Sequence, residues 1–208
     1  MSLLKPGGRL GIVLPEGVFN NPSLAYVREF CEDRAFIRAV ISLPQETFYS
    51  SGASVKASLL FMQKFSTEEQ EKFSQIKAQA RAEMEAKYSP EIKVETERLS
   101  TEIERLKAEK MKEASEKRIS SQKELKAYLK VMEEKITDES RALLKQRFDY
   151  PIFMYEAEKV GITATGEPDQ NELFPNPNQP LDCEKTCLEL NFEFRKNPEK
   201  FLLNGEIE

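Results

Sequence analysis

Near residue 66 the chain changes character, and that change limits what it can fold into more than any other feature. From Leu3 to Phe65 it reads as an ordinary apolar domain segment. From Ser66 to about Arg147 it is mostly Glu, Lys, Ala, Arg, Ser and Gln, with leucines and methionines spaced among them. That composition belongs to long, solvent-exposed helices. A packed sheet segment followed by a helical arm is therefore the expected organisation.

Within the first segment, Lys5-Pro6-Gly7-Gly8 is turn chemistry, and Arg9 to Leu14 (RLGIVL) follows as a short apolar run ended by Pro15. Uninterrupted apolar runs suit strands buried on both faces. Pro22-Ser23 opens an amphipathic helix with Leu24, Val27, Phe30 and Cys31 on one face. Phe36 to Leu43 (FIRAVISL) and Ala57 to Met62 (ASLLFM) are two further strands. The 13-residue link between Leu43 and Ala57 is too short for a crossover helix, so those two strands should be antiparallel neighbours.

Ser66-Thr67-Glu68-Glu69 is a capping box, with Ser66 as N-cap and Glu69 reaching back. Phe73, Ile76, Ala80 and Met84 form one apolar stripe, and Ser89-Pro90-Glu91 reads as a helix restart. Ile92, Thr96, Leu99, Ile103 and Leu106 recur at alternating fours and threes. The pattern resumes at Met111, Ala114, Arg118, Ser121, Leu125, Tyr128 and Met132, a coiled-coil-like seam with a weak middle. Ser121-x-x-Glu124 is a second capping box, which predicts a helical hairpin turning near Ser115 to Ser121. After Asp149-Tyr150-Pro151 come a short strand at Ile152 to Tyr155, a loop at Val160 to Thr163, and an irregular, exposed Thr165 to Pro180. A last helix is expected over Cys183 to Lys196. The domain reading is 1–65 sheet, 66–148 helical insertion and 149–208 return strand, Pro-rich loop and terminal helix.

Composition then removes whole classes of function. The net charge of −5 offers no global footprint for nucleic acid. Cys31, Cys183 and Cys187 form no disulfide framework, which points to a reducing, cytoplasmic protein. No histidine is present, so a metal site would lack ligands and a hydrolase triad its usual base. No run approaches the ~20 apolar residues that span a bilayer, and no secretory leader is expected. Met1-Ser2-Leu3 reads as a leader joined to a sequence that starts abruptly.

The candidate site is a pair of loops at strand ends, where open α/β sheets bind ligands. Pro15, Glu16, Phe19 and Asn20 leave the first strand; Pro44-Gln45-Glu46-Thr47-Phe48 leaves the second. Phe19 and Phe48 either pack under their loops or face a ligand. Lys56 is the nearest cation, and reads equally as a solvated strand-edge lysine.

LLKPGGRLGIVLPEGVFNNPS, then AVISLPQETFYSSGASVKASLLFMQK, and later IFMYEAEKVG, resemble the rear half of the catalytic domain of adenine-specific DNA methyltransferases. The modification subunit of type I restriction-modification systems is the nearest match. The resemblance covers roughly a third of the chain. It implies an α/β fold in which Arg9–Leu14, Phe36–Leu43 and Ala57–Met62 are the last three strands of a partial, mixed Rossmann-like sheet. Ala57–Met62 would lie antiparallel between the other two, with the helical region as an insertion. It also implies that Phe48 stacks on a flipped-out adenine, a sequence-tolerant contact.

The family's Gly-rich phenylalanine-glycine-glycine turn and Asn-Pro-Pro-aromatic motif do not occur in these residues. No catalytic, cofactor-binding or metal residue is assigned, and S-adenosylmethionine is expected in a parent protein rather than on this stretch. The expectation is a C-terminal part of a DNA adenine methyltransferase, inactive alone, whose partners are DNA and a specificity subunit. Without a preceding strand, Arg9–Leu14 would be a bare edge, so self-association through it or through the arm is expected. The competing reading is a non-enzymatic coiled-coil adaptor.

Overall fold

The computed structural model describes residues 1–109, 112–176 and 185–201. It forms two compact units: Met1–Gln70 with the chain from Tyr150 onward, and Glu71–Asp149. Among the described residues no helix is long and apolar enough to cross a membrane.

The first unit is built on a mixed four-stranded sheet. Its strands are β1 (Arg9–Pro15), β2 (Ala35–Ser42), β3 (Ala57–Lys64) and β4 (Phe153–Glu156), in the order β1-β3-β2-β4. β3 runs antiparallel between β1 and β2, while β4 lies parallel to β2. A short helix α1 (Gly17–Asn20) and an amphipathic α2 (Ala25–Glu32) connect β1 to β2. The link-length argument therefore holds, because β2 returns into β3 without room for a crossover.

Each sheet face has its own core. On one, Ala35, Leu60 and Met62 pack with Leu10, Leu14, Phe19 and Cys31. On the other, Ala39, Ile41, Leu43 and Phe153 pack with Cys187 and Phe194 of α5 (Cys187–Lys196). A bulge at Arg38 allows this: Ile37 faces Met62 across the ladder and Ala39 faces Phe61, leaving Arg38 as the extra residue. The bulge resets the in–out alternation. Arg38 lies outside, its guanidinium 4.2 Å from the Phe36 ring centre.

Several expectations change here. β1 is not buried on both faces, as its apolar run alone suggests, but is the sheet edge that the strand order implied by the resemblance makes it, with Val13 49% exposed. An apolar run signals affinity for cover, and this edge lacks cover among the described residues. Val160 to Thr163 is not a loop, since β5 (Val160–Ile162) pairs with β6 (Pro168–Asn171), which also orders part of the segment expected to be irregular. Its tight turn uses Gly166 at φ +92°. Residue 183 lies outside the described residues; α5 begins at Cys187 behind Thr186, whose side chain accepts from Glu189 N–H in a full capping box.

The second unit is an antiparallel pair of long helices. α3 (Thr67–Ala108) starts in the first unit, on the capping box read from the sequence: Glu69 N–H donates to Ser66 Oγ at 3.1 Å, and Ser66 N–H to Glu69 Oε2 at 2.7 Å. α4 (Lys112–Arg147) returns beside it. Met84, Tyr88, Met132 and Ile136 form one buried cluster of the seam, with Leu99, Ile103, Leu106 and Ala114 buried further along. Phe73 and Phe148 meet edge to face at 5.2 Å at the other end.

α3 runs to Ala108 and α4 from Lys112, so the Ser115 to Ser121 stretch expected to hold the turn lies inside α4. Ser121 is mid-helix, and its hydroxyl donates back to the Lys117 carbonyl at 3.2 Å instead of capping anything. Pro90 is likewise inside α3 rather than at a restart. Proline removes one i to i−4 bond, here to the Ala86 carbonyl, yet buried Tyr88 and half-buried Ile92 hold the seam on both sides of it.

Candidate functional site

The carboxyl ends of β1, β2 and β4 and the amino end of β3 lie along one edge of the sheet, as their pairing requires. That edge collects residues from four separated chain segments. Glu16 follows β1; its N–H donates to the Lys56 carbonyl at 2.9 Å, and its carboxylate accepts from the Ser58 hydroxyl at 3.2 Å. Ser58 is buried, so this bond holds the Glu16 side chain against the sheet. Lys56 Nζ reaches Glu156 at the end of β4, at 3.2 Å. The Glu156 side chain is 75% exposed, so the pair positions more than it stabilises.

The loop after β2 is closely self-bonded. Thr47 Oγ1 donates to the Pro44 carbonyl at 2.7 Å, and Gln45 Nε2 to the Ser54 carbonyl at 2.7 Å. The N–H groups of Ser51 and Ala53 both point to the Phe48 carbonyl, each at 3.1 Å. Gly52 closes the loop at φ +82°, a conformation that favours glycine. This holds Phe48 half-buried against the core formed by Ile41, Leu43 and Phe153. Its neighbour Tyr49 is 42% exposed. The β5–β6 turn abuts the loop: a Cβ on Gly166 would come within 3.2 Å of Ser50 Cβ.

The structure thus brings Glu16 and Lys56 together and adds Ser58 and Glu156, which sequence reasoning missed. Ser58 was detectable as the one polar residue in ASLLFM; Glu156 closes the short strand FMYE. Phe19 and Phe48 are not brought together. Phe19 packs on the α2 face with Leu60 and Met62, Phe48 on the α5 face. Pro15 and Asn20 are exposed.

Chemically this edge can bind but has no evident nucleophile. Burial pushes the Cys187 thiol up to about 11 and also raises Cys31, so neither offers a thiolate near neutral pH. Among the described residues no cluster of three or more metal-ligating side chains occurs.

A cavity of about 800 Å³ lies elsewhere, over the α5 face of the sheet and towards the start of β1. Its floor includes Ile41, Leu59 and Phe61, and Arg9, Arg38 and Arg195 line it. Burial lowers the Arg38 guanidinium from its ordinary value, and Arg195 and Arg9 act in the same direction, partly opposed by Glu69 and Tyr150. The cavity does not include Phe48 or the strand-end edge.

A family model described as N-6 DNA Methylase matches residues 1–148. The chain belongs to the N-6 DNA methylase family. The match takes in β1 to β3, the Phe48 loop and both helices of the arm. Among solved structures, a Listeria monocytogenes protein assigned provisionally as a class I S-adenosylmethionine-dependent methyltransferase shares 33% identity, with a TM-score of 0.26. The alignment covers 30% of this chain and 19% of that one, so the chain spans about a fifth of that protein's length. No curated protein matches the chain.

Proposed function

We propose that this chain supplies the rear part of the catalytic domain of an S-adenosylmethionine-dependent DNA adenine-N6 methyltransferase, of the kind that serves as modification subunit in type I restriction-modification. The observation that carries this reading is the family match over residues 1–148. The mixed sheet with β3 antiparallel between β1 and β2 is consistent with it.

In this reading the strand-end edge faces the target nucleotide. Phe48 presents an aromatic face to the extruded adenine, on a loop held by its own hydrogen bonds, and Tyr49 offers an exposed ring beside it. Glu16, fixed by Ser58, and Lys56, fixed by Glu156, flank the edge as hydrogen-bonding and charged groups. The cofactor and the adenine amine are held by residues outside these 208, because the Gly-rich turn and the Asn-Pro-Pro-aromatic motif are absent from them. Positioning of the amine for in-line attack supplies much of the rate in such chemistry, so the chain by itself is inactive. DNA, a specificity subunit, and a cytoplasmic setting complete the proposal.

The test is transfer of labelled methyl from S-adenosylmethionine to DNA. The 208-residue chain alone should transfer none. Joined to a methyltransferase half that carries the two missing motifs, it should transfer methyl to adenine. In that active assembly Phe48→Ala should lower kcat/KM by about 10- to 100-fold, since base–aromatic stacking is worth roughly 1–3 kcal/mol, while Phe48→Trp retains most of it. Methyl transfer by the isolated chain, or an unaffected Phe48→Ala assembly, would contradict the assignment.

A further inference from the structure

The acidic total conceals a basic segment. Residues 105–130, which surround the far end of the hairpin, hold nine Lys and Arg against four Glu, a net +5 in a chain of net −5. The two halves of the arm also treat their charges differently. In the half nearer residues 71 and 149, basic groups are matched across the seam: Arg81 with Glu133 at 2.7 Å, Lys87 with Glu139 at 2.7 Å, and Arg147 with Glu83 at 2.7 Å. In the far half, Lys107, Lys117, Lys123 and Lys126 are exposed. Among the described residues none of these four has a carboxylate within ion-pair distance.

Three of the basic residues share one face. Lys123, Lys126 and Lys130 stand at i, i+3 and i+7 on α4, which places them in one row along the helix. The seam side of the same stretch is given by Tyr128, Met132 and Ile136, packed on Met84 and Tyr88. The lysine row is on the opposite side, facing away from α3. Glu116 bounds it at one end; at the other, Lys130 approaches Glu134 at 3.6 Å. Glu124, the acidic residue within the stretch, is engaged with Arg98 at 3.3 Å.

We infer that this row is a contact for the phosphate backbone of duplex DNA. Seven residues of helix rise about 10 Å, and one strand of B-DNA presents a phosphate every 3.4 Å of axis. Three lysines therefore face about three phosphates. The row carries no Asn, Gln or Arg suited to reading base edges, so it would position the duplex and leave sequence choice elsewhere. The inference rests on the DNA-modifying reading for the identity of the polymer. Its geometry is independent of methyl transfer, and its test contains no cofactor.

The full 208-residue chain is titrated into a fluorescent 24-base-pair DNA duplex, with anisotropy read from 30 to 200 mM salt. Wild type should bind with a log–log salt slope near −3, as expected for three phosphate contacts. The variant Lys123→Gln/Lys126→Gln/Lys130→Gln keeps good helix formers at exposed sites, and circular dichroism checks that it folds. It should bind about tenfold or more weakly at 50 mM salt and lose most of the slope. Lys72→Gln/Lys77→Gln, in the near half of the arm, should leave both unchanged.

Equal binding and slope in the triple variant, or no duplex binding by wild type at 30 mM salt, overturns the inference. So does binding to poly-L-glutamate but not to duplex, which would assign the row to an acidic protein. Loss of duplex binding in the triple variant, with methyl transfer still absent from the joined assembly described above, would sustain this surface and remove the methyltransferase reading alone.

Discussion

The sheet unit and the helical arm reach order by opposite routes. In the sheet unit the residues that meet are far apart in the chain: Lys56 pairs with Glu156, and Ile37 N–H donates to Tyr150 Oη at 3.3 Å. In the arm one repeat, read locally, generates the whole seam, and partners follow from two helices running back to back. Non-local pairing can converge four chain segments on one edge, which a binding site needs. A periodic seam cannot do that, but it leaves an entire outer surface free to carry a charge pattern without disturbing the core. A candidate site sits in the first unit and a charged row on the second for that reason.

The sharpest way to break the comparison is to remove a core side chain from one unit and ask whether the other notices. Phe153 is 3% exposed and packs against Tyr155 and Phe194. Phe153→Ala should cost about 3–5 kcal/mol, comparable to the whole stability of a small unit. Near-ultraviolet signals from the sheet should be lost at a lower urea concentration, while most of the helical far-ultraviolet signal persists. A single coincident transition shifted for both probes would show that the two units unfold as one.

A smaller effect separates the units by pH. The buried Cys187 thiol is raised to about 11 from an ordinary 9.0. The folded state thus favours the protonated thiol more than the unfolded chain does. Its contribution is complete below pH 9 and is lost as pH rises towards 11, by at most about 2–3 kcal/mol. The arm holds no cysteine. Subtracting the alkaline stability profile of Cys187→Ala from that of wild type should leave this loss in the sheet transition only. A flat difference between pH 8 and 11 would mean that the thiol is not shielded from water.

Legibility in the sequence follows the same division. The four strands of the main sheet, the antiparallel link and the Ser66–Glu69 cap were readable because each depends on a short stretch, whereas β5 and β6 were not. The apolar run of β1 alone suggested burial on both faces, and only the strand order implied by the resemblance made it an edge, since cover is decided by what lies beside a strand rather than within it. Three Ser/Thr-x-x-Glu strings illustrate the limit. Ser66 and Thr186 begin helices; Ser121 does not, because the seam spacing from Ala114 to Tyr128 runs through it, with Arg118 and Ser121 themselves at seam positions. Pro90 misled for the same reason, as local propensity yielded to a seam held on both sides. At the site, Phe48 and Lys56 were found by strand-end position. Glu156 escaped because only the parallel pairing of β4 with β2 brings it to Lys56.

The smallest expected effect distinguishes two tyrosines of one stretch of the seam, and it turns on the sign of one atom's removal. Tyr88 and Tyr128 both place their rings against the seam. The Tyr88 hydroxyl donates to Glu139, whose other oxygen accepts from Lys87. The Tyr128 hydroxyl is buried with no hydrogen-bond partner among the described residues, and burial raises its pKa. Tyr88→Phe removes a satisfied bond to a charged group and should destabilise the arm by about 1–2 kcal/mol. Tyr128→Phe removes a hydroxyl that has no hydrogen-bond partner among the described residues, and should be neutral or slightly stabilising. Thermal melts of the arm read both. If the two substitutions shift the melting temperature in the same direction by the same amount, the two hydroxyls are equivalently satisfied.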